Sequence, residues 1–469
     1  MYPTNTVDHP HNFSRKKLEW SLVILSSTLL GIWAVKDTIA LRNILLVVGV
    51  VFSIKYMTQE WKYGQLKEQC IFWKLLPVIL ILLSLIWVFG HYLFLSIEPE
   101  QQWEELRSTW LRACFATIIG ITSGMVVRNR PDRFFFLWSG VFISFVFLFS
   151  QYIPRALSQQ KLLAPDYSYY LFHLKFNVVL MGTIGFMTLN IVLFNNLYTN
   201  IFHSKKSSIL YVSIYTLFTI AFLWAFVFIV DARNGLGLMF VIVGVWSLCA
   251  LYINRDWQRS KQSAANIRLI NFVILVSLLL ALLFSTIHVK TNKGWDHFIE
   301  DFKIALQIER YQNWHNLERF GYPQRVNGQT VTPNNYERIA WAAAGVKGIM
   351  AYPQGVGLLA YPFERNPYLL KLRSVNVNSE PINTHSGWVE FGLAFGVPFL
   401  ILIYSAMLII LFQATFGTSP DRWSSIGYIV LIFLVYAVGE NSSKHGVEIL
   451  YYLISFAYAS SLPIRFKSD

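Results

Sequence analysis

The sequence predicts an all-α polytopic membrane protein with about twelve transmembrane helices and a large, partly helical loop on the outer face. Three observations carry that prediction. Hydrophobic residues fill 55% of the 469 positions and charged residues only 14%, whereas soluble domains carry roughly 25% charge. Apolar runs close to the ~20 residues that cross a bilayer as a helix recur along the whole chain. These runs are apolar throughout, while barrel strands would alternate in segments of ~10 residues, so a β-barrel is excluded.

Twelve spans are read near residues 20–36, 39–57, 71–97, 110–127, 134–153, 170–195, 208–230, 235–253, 269–287, 386–412, 423–439 and 446–463. The first is long and lacks a small-residue cleavage site before the second, so it is expected to stay as a span and not act as a cleavable signal. Lysine and arginine set the orientation. With Arg15, Lys16 and Lys17 in the cytoplasm, the inner connections carry Lys62 and Lys67, then Arg128, Arg130 and Arg133, then Lys205 and Lys206, then Arg255, Arg259 and Lys261, then Arg422. The C-terminus, with Arg465 and Lys467, also falls inside. The short outer loops are poorer in positive charge, and residues 98–105 are acidic. The net charge of +13 is thus mostly a matter of membrane orientation. No basic soluble domain exists to bind nucleic acid. Cys70, Cys114 and Cys249 lie in or beside spans and imply no disulfide framework; Cys114, the outermost, is read as a packing residue.

The domain plan is a cytoplasmic tail (1–19), spans one to nine (20–287), an outer loop domain (288–385), spans ten to twelve (386–463) and a second cytoplasmic tail (464–469). Residues 1–14, with His9 and His11, are polar and expected to be disordered. No internal repeat or low-complexity segment stands out. Loops as long as 288–385 are usually functional. Within this one, Trp295 to Leu317 has mixed polarity and is expected to be helical. A second helix is expected after Pro333, capped by Asn334 or Asn335 with Glu337 favoured by the N-terminal dipole, and ending near Pro353. Ile339, Ala342, Ala343, Val346, Ile349 and Met350 would form its apolar face, and Gly355-Val-Gly357 would then turn the chain.

The informative residues are the polar ones at the outer surface. Arg233 follows Asp231 at the tight corner between the seventh and eighth spans. An interfacial arginine snorkelling to lipid phosphates, with or without Asp231 as partner, is one reading. The other is a guanidinium gripping a phosphate, for which its fork and permanent charge suit it. Arg42, Arg112 and Lys175 also lie just inside outer ends of spans. Snorkelling explains each singly and explains less well their gathering on the side that should be depleted in positive charge. Arg338 is placed at the opening of the second loop helix, where a cation opposes the dipole; it is either a solvated surface arginine or one whose conflict a bound anion removes. His385 stands where the polar loop meets the tenth span, between Asn383-Thr384 and Ser386-Gly387. A histidine there is either a capping residue or a proton acceptor, since imidazole titrates near neutrality. Glu390 lies just inside the tenth span, either as a buried carboxyl supporting the site or facing a polar cavity. The acidic run Glu98, Glu100, Glu104 and Glu105 reads as a solvated loop, with a divalent cation as the other option. No His-Glu-x-x-His pattern, Ser-His-Asp pattern, Walker loop or dinucleotide fingerprint is present, and neither metal nor cofactor is expected.

Three stretches carry a resemblance: Asp231-Ala-Arg233-Asn-Gly; Glu337-Arg338-Ile-Ala-Trp341 leading to Tyr352-Pro-Gln-Gly-Val-Gly357; and Asn383-Thr-His385-Ser-Gly-Trp leading to Phe391-Gly-Leu-Ala-Phe-Gly-Val-Pro398. With twelve spans and a large loop before the tenth, the chain resembles the O-antigen ligase and polymerase superfamily of bacterial envelope glycosyltransferases, and within it the ligases. The motifs cover roughly the C-terminal half. The resemblance implies a GT-C-like membrane fold in the bacterial inner membrane, both termini cytoplasmic, with the site on the periplasmic face. It implies metal-independent, inverting transfer of a glycan from undecaprenyl diphosphate to a sugar of the lipid A–core. Arg233, Arg338 and His385 match the family's two arginines and histidine, and Arg42, Arg112 and Lys175 would assist at the diphosphate. Polymerases and protein O-oligosaccharyltransferases share this layout and donor. A transporter of lipid-linked glycans is the rival of another class. It would place ionisable residues near the midplane on broken, repeat-related helices, whereas here they gather at the outer rim.

Overall fold

The apolar runs fold into helices, and no strand occurs among the described residues; Gln324 and Thr330 form an isolated bridge. The computed structural model describes residues 11–62, 72–162, 175–199, 205–257, 264–372, 383–417, 419, 421–439 and 444–463. Cys70, Lys67, Arg259, Lys261, Arg465, Lys467 and most of the N-terminal tail lie outside them. The long helices are α1 (His11–Ile32), α2 (Ile39–Lys62), α3 (Phe72–Phe94), α5 (Leu111–Asn129), α6 (Phe134–Gln159), α7 (Lys175–Thr199), α8 (Lys205–Trp224), α9 (Arg233–Trp257), α10 (Ala264–Thr291), α16 (Gly387–Phe416), α17 (Arg422–Val438) and α18 (Lys444–Ser461). Shorter ones are α4 (Pro99–Glu105), which runs through a π-helical turn into α5, and α11 (Phe298–Leu306), α12 (Leu317–Phe320), α13 (Pro333–Ala351), α14 (Pro362–Arg365) and α15 (Pro367–Leu372) in the loop domain.

Among the described residues, nine helices are long and apolar enough to cross a membrane, so the chain is a multi-pass α-helical membrane protein. Helices α1, α17 and α18 are not among the nine. For α18 the reason is its composition, which opens with Lys444, His445 and Glu448 and suits a helix packed in protein. The helix is buried along nearly its whole length, against α5, α16 and α17, and faces protein instead of lipid. Gly120 and Gly124, one turn apart on α5, let the two helices approach closely. A Cβ at either would sit 2.4 Å from the Tyr452 carbonyl oxygen or 2.6 Å from that of Phe456, as in small-xxx-small packing.

The loop domain is locked to one end of the bundle by two devices. The first answers a break in α16. Gly396 has φ +74° and Pro398 has no N–H to donate, so the helix cannot satisfy its own carbonyls there. The segment Pro353–Gly357 enters the gap. Val356 N donates to Leu393 O at 2.9 Å, Gly357 N to Ala394 O at 2.6 Å, and Val397 N to Pro353 O at 2.8 Å. Trp87 Nε1 of α3 takes Phe395 O at 2.8 Å. Irregular backbone beside a membrane helix is tolerable only when its groups are paired this way. Gly355, at φ +81°, and Gly396 are required on both sides, since a Cβ at either would lie 2.5 Å or less from the opposing backbone. The turn expected at Gly355-Val-Gly357 is thus a wedge between two of the sequence motifs.

The second device is the acidic run. Glu105 accepts from Leu359 N at 3.0 Å and Ala360 N at 2.8 Å. Glu98 pairs with Arg365 at 2.8 Å, and the same guanidinium donates to Gln101. Glu104 pairs with Arg107, and Glu100 is exposed. Glu98 and Glu105 thus form a loop clamp, while Glu100 and Glu104 are solvated as expected. Among the described residues no group of three or more His, Cys, Asp or Glu side chains is placed to hold a metal.

Three expectations for the loop need correction. The helix expected over Trp295 to Leu317 is only α11 followed by a 3₁₀ turn, Gln312–His315. The chain breaks at Gln307 so that Ile308 and Trp314 can both enter the loop core, with Trp314 Nε1 donating to Ile308 O at 3.0 Å. Helix α13 takes Pro333 as its first residue and Thr332 as its cap position, so Asn334 and Asn335 do not cap it. Its buried row is Tyr336, Ala340, Ala344 and Gly348, with Ile349, while Val346 and Met350 are exposed. The row differs from the expected stripe because α13 is packed between α11 and α16, where small residues are needed for close approach.

Candidate functional site

Helix α13 links the parts of the site. Near its start Asn335 meets Arg233, the first residue of α9, and its end hands over to the wedge in α16. The Asp231–Arg233 corner is built by a π-helical turn, Ala225–Ile229, that ends α8. Ala232 N then bonds back to Phe226 O at 2.7 Å, and Asp231 is forced to φ +49°. Such turns and left-handed non-glycine residues concentrate at functional positions.

Asp231 does not pair directly with Arg233. Its Oδ1 accepts from His288 Nε2 at 2.8 Å and Asn292 Nδ2 at 2.6 Å, while its carbonyl accepts from Lys175 Nζ at 2.5 Å. Trp295 Nε1 donates to His288 Nδ1 at 2.9 Å, which fixes the tautomer that donates to Asp231. The His288 hydrogen bond, with Asn292 and the Lys175 charge, holds the Asp231 carboxyl below the usual range. Arg233 is oriented by its Nη1, which donates to Gly294 O and Asn335 Oδ1. Among the described residues no acceptor lies against its Nε or Nη2, so that edge of the fork is available to a ligand.

Asn335 is itself held by Asp301, to which it donates at 2.9 Å, and Asp301 makes a two-point pair with Arg325 at 2.7 and 3.1 Å. Burial alone would push the Asp301 carboxyl up. Arg325, Asn335 and Thr332 outweigh it and hold the carboxyl below its ordinary value of 3.8. The folded loop therefore binds fewer protons than the unfolded one around that value. Its stabilisation is complete above pH 3.8 and is lost as pH falls through the lower folded value. Limited proteolysis should accordingly open the loop domain in acid below about pH 4 and not between about pH 5 and 8. Asp301→Asn should remove the acid step and leave the loop more open at neutrality.

Arg338 falls in the second turn of α13, so the dipole conflict expected for it lapses, that effect being confined to the first turn. A stronger conflict replaces it. Arg338 is half-buried, its Nε is shielded from solvent, and it has no hydrogen-bond or ion-pair partner among the described residues. Its charge opposes those of both Lys175 and Arg233. One turn further on, the Trp341 ring lies nearly parallel to the His385 imidazole, 16° apart with centroids at 6.0 Å, and its Nε1 is also buried without an acceptor. His385 sits at φ +54°, two residues before α16 begins, and Ser386 takes the cap position, so His385 is not the cap. Gly387 N ties this junction to Gly439 O at 2.9 Å, and Gly439 packs on Phe176, the neighbour of Lys175. Glu390 is buried in α16.

The six candidate residues thus divide. Lys175, Arg233, Arg338 and His385 form one group. Arg42 and Arg112 form a second, tied to the first through Asn177, whose side chain donates to Ala34 O at 3.3 Å. In the second group Arg112 pairs with Glu448 at 2.5 Å, and Trp33 Nε1 donates to the other Glu448 oxygen at 2.6 Å. Arg42 donates to Trp33 O at 2.6 Å and to His445 Nδ1 at 2.5 Å. Both arginines are already engaged, unlike Arg338. Reading the sequence missed Glu448 and His445, although a carboxylate inside a membrane helix signals a buried partner. It also gave no role to His288, Asn292 or Trp341. No family model and no curated protein matches the chain.

Proposed function

We propose that this protein is a glycosyltransferase of the O-antigen ligase type, acting at the periplasmic surface of the bacterial inner membrane. In this reading twelve helices span the membrane, both termini are cytoplasmic, and residues 288–385 form the periplasmic loop. The observation that carries the proposal is Arg338. A half-buried cation with no acceptor among the described residues, facing the charges of Lys175 and Arg233, is unfavourable until an anion arrives. A diphosphate on a lipid carrier fits a rim of this kind, and His385 stands one stacked ring away. The motifs that resemble ligases fall on these same residues.

In the reaction the acceptor hydroxyl of the lipid A–core attacks the anomeric carbon of the undecaprenyl-diphosphate glycan. The new glycosidic bond forms as the bond to the diphosphate breaks, with inversion. His385 takes the hydroxyl proton, and Arg233, Arg338 and Lys175 balance the charge on the leaving diphosphate. Arg42 and Arg112 assist from the adjoining group. The loop domain covers the site and limits water, the competing acceptor.

The test is transfer in proteoliposomes supplied with undecaprenyl-diphosphate glycan and lipid A–core. A single shift of the lipid A–core band supports the proposal. A ladder that stays on the carrier identifies a polymerase, and transfer only to protein identifies an O-oligosaccharyltransferase. No new bond with any acceptor overturns glycosyl transfer in favour of a carrier.

A further inference from the structure

Helix α11 has two apolar faces, and among the described residues only one of them is covered. Ile304 and Ala305 point into the loop core against α13, with Asp301 on the same side. On the other side Phe298, Ile299, Phe302 and Leu306 are exposed, Ile299 at 70%. Their spacing makes one stripe at helical period. Leu306 shares a shallow groove with Val346 and Met350 of α13, and Met350 is 74% exposed. An apolar surface of this extent in water would be an aggregation liability.

The stripe continues a surface that already faces lipid. Along α10 the exposed residues Phe272, Leu275, Leu279, Leu282, Leu283 and Val289 form the outer side of a membrane-crossing helix. From its end an aromatic series leads directly onto α11. His288 meets Trp295 at 6.1 Å, Trp295 meets Phe298 at 6.2 Å, and Phe298 meets Phe302 at 6.4 Å. A tryptophan at such a junction belongs to the headgroup level. Lys290, Lys293 and Lys303 are exposed around the stripe, placed as cations that reach lipid phosphates while their neighbours enter the acyl boundary.

We infer that α11 is an interfacial membrane helix, lying on the same leaflet that α10 leaves, with Phe298, Ile299, Phe302 and Leu306 inserted and the three lysines at the phosphate level. The occupant of the exposed face is the lipid surface. Because Asp301 on the opposite side of α11 holds Asn335, and Asn335 holds Arg233, the membrane surface itself fixes the height of the loop domain above the bundle. This inference stands whether or not the chain transfers glycans.

The test uses the full chain in vesicles of phosphatidylethanolamine and phosphatidylglycerol. Nitroxide labels are placed at Ile299, Phe302 and Leu306, and at Asn327 in the exposed turn, after Cys70, Cys114 and Cys249 are replaced by serine. Labels on the stripe should collide with oxygen in preference to a nickel chelate and report a depth of about 5–10 Å below the headgroups, while Asn327 reports water. Nickel access at the stripe equal to that at Asn327 would overturn the inference. So would spin–spin broadening that grows with protein-to-lipid ratio, since the face would then be covered by a second copy. A parallel measurement on the unsubstituted chain, with a photoreactive lipid carrying its group near the glycerol, should mark residues 298–306 and Met350. Marking confined to the spans would overturn the inference independently of any variant's folding.

Discussion

His385→Gly is expected to fold at least as well as the parent protein and to lose glycan transfer by about 10²–10⁴-fold, the usual worth of a positioned general base. The two effects separate because of the backbone. At φ +54° His385 occupies the left-handed region, where a side chain carries strain that glycine does not. A residue kept there only to cap α16 would gain from the change, and capping falls in any case to Ser386. Strain retained at a position beside the Trp341 ring, one turn from Arg338, indicates that the imidazole is needed where it is. His385→Asn gives a second arm, since asparagine tolerates the same conformation but does not accept a proton at neutral pH. Thermal unfolding in detergent and initial transfer rates in proteoliposomes read the two effects. Parent-level transfer by a folded His385→Gly protein would remove the base from the mechanism.

The parts legible in the sequence are those that rest on one segment at a time. The apolar runs announce helices because burial in lipid demands length and hydrophobicity of each run by itself. Pro333 announces the start of α13 because its ring suits the first turn whatever surrounds it. The parts that were hidden depend on two distant segments meeting. Asn335 has the chemistry of a helix cap, and only the arrival of Arg233 and Asp301 turns it into a bridge between the bundle and the loop. Gly355-Val-Gly357 and Gly396-Val-Pro398 each read as local interruptions. Their fit follows only from asking where the carbonyls of Leu393 and Ala394 find donors. Glu98 and Glu105 likewise look solvated until Arg365 and the amides of Leu359 and Ala360 are placed against them. Within the candidate site, residue types were legible and groupings were not. Arg42 and Arg112 resemble Arg338 in sequence, and they differ because Glu448 and His445 stand beside them in space.

Arg338→Met is expected to stabilise the empty protein or leave it unchanged, while abolishing its response to a diphosphate ligand. Methionine has about the reach of the arginine stem and carries no charge, so the change removes repulsion with Lys175 and Arg233 and the burial of an Nε that has no partner among the described residues. Replacing a charge held away from solvent by an apolar side chain of similar size is often neutral or stabilising. The parent protein should behave in the opposite way on binding. Undecaprenyl diphosphate supplied at 100 times its Kd should raise unfolding stability by about 2.7 kcal/mol through mass action alone, and the variant should show little of that gain. Arg338→Lys should fall between the two, since it keeps a charge but loses the planar fork that matches phosphate oxygens. Glycan transfer should follow the ligand response and not the stability of the empty protein. An arginine that merely snorkels to lipid phosphates would give a different pattern. Its loss would weaken the protein in vesicles, and the diphosphate response would stay at the parent level.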